Sequence, residues 1–161
     1  MSASHGTQNF TKEQEELWTA CNNALAALNA HLDRTLRAHA EIKLTDFLIL
    51  SALVGSRKGA PTAVRMGELA QKTNVSPSRL TYQIEVLMRH KWVRKEPVES
   101  DRRGKGIIIT DTGLSVYEKA QRIYAHEVRE IALTEIEDSS WAHFTDFFNN
   151  ILERISHKPE V

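Results

Sequence analysis

The chain has 161 residues, 41% of them hydrophobic and 26% charged, as in an ordinary globular protein. Its single cysteine, Cys21, excludes an intrachain disulfide framework and a multi-cysteine zinc site. No apolar run approaches the roughly 18 residues needed to span a bilayer. The 21 basic and 21 acidic residues cancel, which taken alone argues against a nucleic-acid partner. The distribution says otherwise. Residues 57–106 hold twelve Lys and Arg against five Asp and Glu, a net +7. The other nine basic and sixteen acidic residues lie in the flanks, which carry −7. A basic middle between acidic ends points to a polyanion; the alternative is a set of solvated helix faces. The first residues lack the basic stretch and apolar run of an export signal, so the cytoplasm is the expected compartment.

Residues 1–10 are small and polar and are expected to be disordered. Thr11, with Gln14 three residues later, reads as a capping box. Leu17, Cys21, Ala24, Leu28, Leu32 and Leu36 then recur every three or four residues, one helix stripe widened by Trp18 and Leu25. This helix ends near His39. A shorter one starts at residues 43–45, with Phe47, Leu50, Leu53 and Val54 inward. Residues 55–62 hold two Gly and one Pro and read as a loop. Residues 66–72 form a short helix with Met66, Leu69 and Ala70 inward, and residues 73–75 a tight connector. Ser76 at the N-cap and Pro77 at the first helical position open the next helix. Leu80, Ile84, Leu87 and Met88 keep its period to about His90.

Two strands follow. Residues 93–98 include Pro97, which suggests an edge, and residues 106–110 carry three consecutive isoleucines. Residues 99–105 between them form a charged hairpin tip. Thr110 or Asp111 caps a long helix with Leu114, Tyr117, Ala120, Tyr124, Val128 and Ile131 on one side. Residues 138–140 break it and cap a last helix faced by Trp141, Phe144, Phe148, Ile151, Leu152 and Ile155. The predicted fold is mainly α with a small β-hairpin wing. A winged helix-turn-helix spans 45–110, between a dimerisation helix at 11–44 and C-terminal dimerisation helices at 111–157.

A helix that enters the major groove end first needs a polar first turn. Here that turn offers Ser76, Ser78, Arg79, Thr81, Tyr82 and Gln83. Arg79 can donate twice to guanine O6 and N7, and Gln83 can pair with adenine. The serines and Thr81 can reach phosphates or bases, and the free N–H groups of the turn favour a phosphate. In the hairpin tip, Arg102, Arg103 and Lys105 suit a narrow minor groove of concentrated negative potential.

Three motifs carry a resemblance to the MarR family of bacterial transcription regulators. They are Met66-x-Glu68-Leu69-Ala70, then Val75-Ser76-Pro77-Ser78-x-Leu80-Thr81-x-x-Ile84-x-x-Leu87, and Asp101-Arg102-Arg103 followed by Ile107-x-x-Thr110-x-x-Gly113. The resemblance runs from about Thr11 to Ile155. It implies that Asp101 braces the wing by pairing with an arginine and that Arg103 is the minor-groove finger. It implies a homodimer with intertwined N- and C-terminal helices, and an aromatic or phenolic effector bound where those helices meet the winged region. Trp18, Cys21, Leu25 and Phe47 are candidate lining residues, with plain core as the alternative for each. Cys21 falls near the reactive cysteine of peroxide-sensing members, but no tyrosine precedes Tyr82 to support that chemistry. One position departs from the pattern: the family usually has Gly just after the recognition helix, where this chain has Lys91. If the turn is kept, the strain costs about 1 kcal/mol.

The dimer also has an argument of its own. The first helix and the last two carry more large apolar residues than a small winged domain covers, and an isologous two-fold interface would bury them. Such a dimer reads a pseudo-palindromic operator in double-stranded DNA, with half-sites about one helical turn apart. No Walker loop, nucleophile elbow, H-E-x-x-H or Rossmann glycine set is present, so neither catalysis nor a cofactor is expected. The seven histidines include no i, i+4 pair, and no metal site is expected. The sequence therefore reads as a homodimeric, sequence-specific regulator, a repressor released by a small molecule. Two rivals stand beside it: an architectural DNA binder without sequence preference, and a winged helix used as a protein–protein module. The +7 window speaks against the second.

Overall fold

Helix α1, Lys12–Ala40, opens on the capping box expected from the sequence. The Gln14 N–H donates to Thr11 Oγ1 (3.3 Å) and the Thr11 N–H donates to Gln14 Oε1 (3.0 Å). In the computed structural model the described residues are 9–56, 62–98 and 101–157, with backbone alone at 98 and 101–104. By its contacts the chain divides into two units, Met1–Ile123 and Tyr124–Val161.

The first unit holds the winged region. Helix α1 buries only Leu32, Leu36 and Ala40, near its C-terminal end. It turns at Glu41, whose φ is 56°, and Asp33 ties it to helix α2, Leu44–Gly55. The Asp33 carboxylate accepts the first N–H of α2 from Leu44 (2.9 Å) and pairs with Arg37 (2.6 Å). Burial pushes this carboxyl up, but the Arg37 and Leu44 donors outweigh it and hold it below its ordinary value.

Helix α2 is apolar on almost every side and is the centre of the unit. Phe47, Ile49, Leu50 and Leu53 are fully buried, against α1, helix α3 (Met66–Thr73) and strand β2 (Asp101–Ile109). Ile49 thus joins the inward set read from the sequence, and Val54 is only half-buried. Asp46 is the polar exception in this helix: it is buried, and its Oδ1 has no hydrogen-bond partner among the described residues. Burial pushes its carboxyl above the usual value, against the pull of Lys43, His90 and Arg37.

Strand β1, Val93–Val98, pairs antiparallel with β2 from Val93↔Ile109 to Pro97↔Lys105, and the register shifts after Pro97. Val64 bridges Ile107 on the other side, so β2 is central and β1, with its proline, is the edge. Strand β2 starts at Asp101, so residues 101–105 of the expected hairpin tip are strand. Backbone pairing in a two-stranded ribbon is open to charged residues, so the charge run was not a loop signal. Residues 99–100 lie outside the described residues.

Helix α5, Asp111–Val128, begins on Thr110. Its α-geometry stops at Val128, short of the break expected at 138–140, and passes into a π turn at Arg129–Leu133. The Thr134 N–H and Oγ1 both donate to the Arg129 carbonyl, five residues back, which fixes the wider turn (3.0 and 2.8 Å).

The second unit contains this turn, a 3₁₀ turn at Asp138–Ser140 and helix α6, Trp141–Ser156. Trp141 Nε1–H donates to the Ile136 carbonyl (3.2 Å). An apolar groove of about 290 Å³ opens between Leu133, Ile136, Trp141, Phe144 and Phe148. No described helix is long and apolar enough to cross a membrane.

Candidate nucleic-acid interface

Helix α3 ends at Asn74, which turns left-handed (φ 52°), a conformation Asn tolerates well. The Val75 N–H then reaches back to the Ala70 carbonyl (3.3 Å). Helix α4, Pro77–Arg89, follows. Ser76 occupies its N-cap, as expected, but its hydroxyl makes no capping bond and stays available. One face of α4 is closed: Leu80, Ile84 and Leu87 are buried in the core of the first unit.

The opposite face presents Ser76, Ser78, Arg79, Thr81 and Tyr82 to solvent, with Tyr82 60% exposed. Thr81 Oγ1 donates to the Pro77 carbonyl (2.9 Å), so it offers an acceptor lone pair and a methyl group. Gln83 departs from the expected set: it is only 8% exposed and lies among the core positions three residues beyond Leu80.

The basic window divides into paired and unpaired cations. Lys72 pairs with Glu68 (2.7 Å) and also donates to Ser56 Oγ (2.7 Å). Arg94 pairs with Glu96 (2.7 Å). Arg79, Arg89, Lys95 and Lys105 are exposed and have no ion-pair partner among the described residues. The backbone of Asp101, Arg102 and Arg103 lies in β2, while their side chains are outside the described residues. The bracing and minor-groove roles therefore rest on the sequence.

Lys91 keeps the turn that the sequence put in question. Its φ is 60°, the left-handed region. Its N–H donates to the Met88 carbonyl (2.9 Å) and the Trp92 N–H to the Leu87 carbonyl (3.0 Å). That is a Schellman closure of α4 with lysine where glycine is usual.

Comparison with known proteins agrees with this geometry. A family model described as MarR family matches residues 41–104. The HTH-type transcriptional regulator PecS of Dickeya dadantii is 29% identical over 110 residues. The match covers 66% of this chain and 65% of PecS. The crystal structure of Sco3205, a MarR family transcriptional regulator from Streptomyces coelicolor in complex with DNA, superposes with a TM-score of 0.83. It is 25% identical, over 98% of this chain and 95% of Sco3205. The winged region is similar to the MarR family, and the chain shares the fold of MarR-family transcriptional regulators.

A further member of the same fold, CouR from Rhodococcus jostii RHA1 bound to p-coumaroyl-CoA, gives a TM-score of 0.76 at 15% identity. It covers 90% of this chain and 94% of CouR. In this chain the four candidate effector residues separate. Phe47 is 1% exposed and stacks on Tyr117 (centroids 5.7 Å apart), so it belongs to the core. Trp18 and Leu25 are about half exposed and Cys21 partly so, on the stretch of α1 that buries nothing in one protomer. Sequence reasoning missed the junction of Lys91, Trp92 and Gly113 around Thr110, although the Thr-x-x-Gly spacing was its signal.

Proposed function

We propose that this chain is a homodimeric, sequence-specific DNA-binding regulator, a repressor that a small aromatic ligand releases from its operator. The observation that carries the reading is the two-sidedness of α4. One face is sealed into the core, and the other offers Ser76, Ser78, Arg79, Thr81 and Tyr82 with Arg79 unpaired among the described residues. A guanidinium with no internal partner pays no cost of breaking an ion pair when it meets guanine. Arg102, Arg103 and Lys105 extend the contact from the wing into the adjacent minor groove, with Asp101 bracing them.

Sco3205, which shares this fold over nearly its whole length, was crystallised with DNA. The dimer covers the exposed apolar faces of α1 and α6 and sets two α4 helices about one DNA turn apart. CouR shows that the fold can hold an aromatic acyl thioester. In this chain the ligand would lie beside Trp18, Cys21 and Leu25, in a pocket completed by the second subunit, and Phe47 drops out of the lining. A ligand that prefers the dimer geometry with misplaced α4 helices shifts the population away from DNA. Coupling of about 1–3 kcal/mol lowers affinity roughly 5–150-fold.

Selection of genomic DNA by the purified protein, followed by a screen of aromatic acids for release, tests the whole reading. A single enriched pseudo-palindrome, and release by at least one class of aromatic acid, are the expected results. Enrichment without any shared sequence would contradict specificity.

A further inference from the structure

Three backbone segments meet at Thr110, between β2 and α5. Its Oγ1 donates to the Lys91 carbonyl (2.7 Å), with the Trp92 carbonyl as a longer second acceptor (3.1 Å). The same oxygen accepts the Gly113 N–H (3.0 Å), and the Thr110 N–H donates to the Trp92 carbonyl (3.0 Å). Gly113 makes this approach possible: a Cβ there would overlap the Trp92 carbonyl. Lys91 and Trp92 are the left-handed closure of α4, and Gly113 is in the first turn of α5.

Capping α5 requires only the bond from the Gly113 N–H. The bonds to Lys91 and Trp92 reach 18 to 19 residues back and do nothing for the cap. They join the end of α4 to the start of α5. We propose that Thr110 is a positioning residue for DNA binding, because its hydroxyl fixes the angle between α4 and α5. The inference rests on the dimeric DNA-binding reading above. Helix α5 has 18 residues. Its first thirteen residues, Asp111–Ile123, belong to the first unit and span about 20 Å at 1.5 Å per residue, so a swing of about 10° at the root moves their end by about 3 Å. In a dimer joined through the terminal helices, that angle sets the separation of the two α4 helices, and so the half-site spacing the protein accepts.

The test uses the full chain and the duplex most enriched by selection, alongside duplexes with one base pair added or removed between the half-sites. Thr110→Ser keeps both functions of the hydroxyl. Thr110→Asp keeps the cap but donates nothing to Lys91 or Trp92, and Thr110→Val loses both. Thermal melting checks that each variant is folded, and Thr110→Asp carries the test if Thr110→Val is not. In the Asp and Val variants the preference for the selected spacing should fall by about fivefold or more, while affinity for a scrambled duplex holds. Thr110→Ser should keep the preference. An unchanged spacing preference in folded Thr110→Asp would overturn the proposal and leave the DNA-binding reading standing. Equal binding of selected and scrambled duplexes by the wild type would overturn that reading itself, and this one with it.

Discussion

The winged region and the terminal helices follow opposite rules. In the first, most large side chains of α2 and those of the inner face of α4 are sealed, and the polar groups other than Asp46 and Gln83 are outside or part-exposed. In the second, the large apolar groups are outside. Among the described residues, every exposed large hydrophobic except Leu48 and Tyr82 lies within residues 10–25 or 131–155. Leu17 is 71% exposed and Leu152 61%, on stripes with regular helical spacing. Exposed apolar stripes of this kind mark interaction surfaces. The contrast teaches that one protomer contains a complete reading head but an incomplete scaffold. The proposed second copy completes the scaffold.

Substitutions can break or sharpen that contrast. The largest effect is expected at the open side. Phe148 lines the groove of the second unit, and Phe148→Asp should weaken self-association by about 2–4 kcal/mol, measured by sedimentation equilibrium, with far-UV circular dichroism retained. Unchanged association would remove α6 from the interface. Next is Gly113→Ala, which forces a methyl group into the Trp92 carbonyl and should cost about 3 kcal/mol in urea denaturation.

Arg79→Ala leaves both regions folded and should cost about 2 kcal/mol of DNA binding, with relaxed preference at one base pair per half-site. Equal loss on every sequence would make Arg79 a phosphate contact. The smallest effect is at Lys91. Lys91→Gly relieves a left-handed lysine and should raise stability by about 1 kcal/mol, seen as a higher urea midpoint, with self-association unchanged. A lower midpoint would mean that the lysine side chain contributes more than its backbone strain costs.

Local signals were legible in the sequence. The capping box of Thr11 and Gln14, the start of α4 at Ser76-Pro77 and the edge strand with Pro97 all depend on residues a few positions apart. The Lys91 turn was left open by the sequence, and the structure keeps it left-handed. What stayed hidden depends on position in three dimensions. Gln83 looked outward because it is polar, but its place on the helix puts it with Leu80 and Leu87, and position won. Phe47 stood as a candidate pocket residue with plain core as its alternative, and its burial and its stacking on Tyr117 decide for the core. The π turn after Val128 hangs on one threonine and a carbonyl five residues back. The Thr110 junction joins residues 18 or more apart, beyond the reach of any periodicity.

Behind all of these lies the claim that the outer face of α4 reads sequence. The most direct measurement is a titration, at one physiological salt concentration, of the selected duplex against a scrambled duplex of the same composition. The account predicts an affinity ratio of about 10³ or more, with two chains bound per selected duplex. A ratio near one would contradict it.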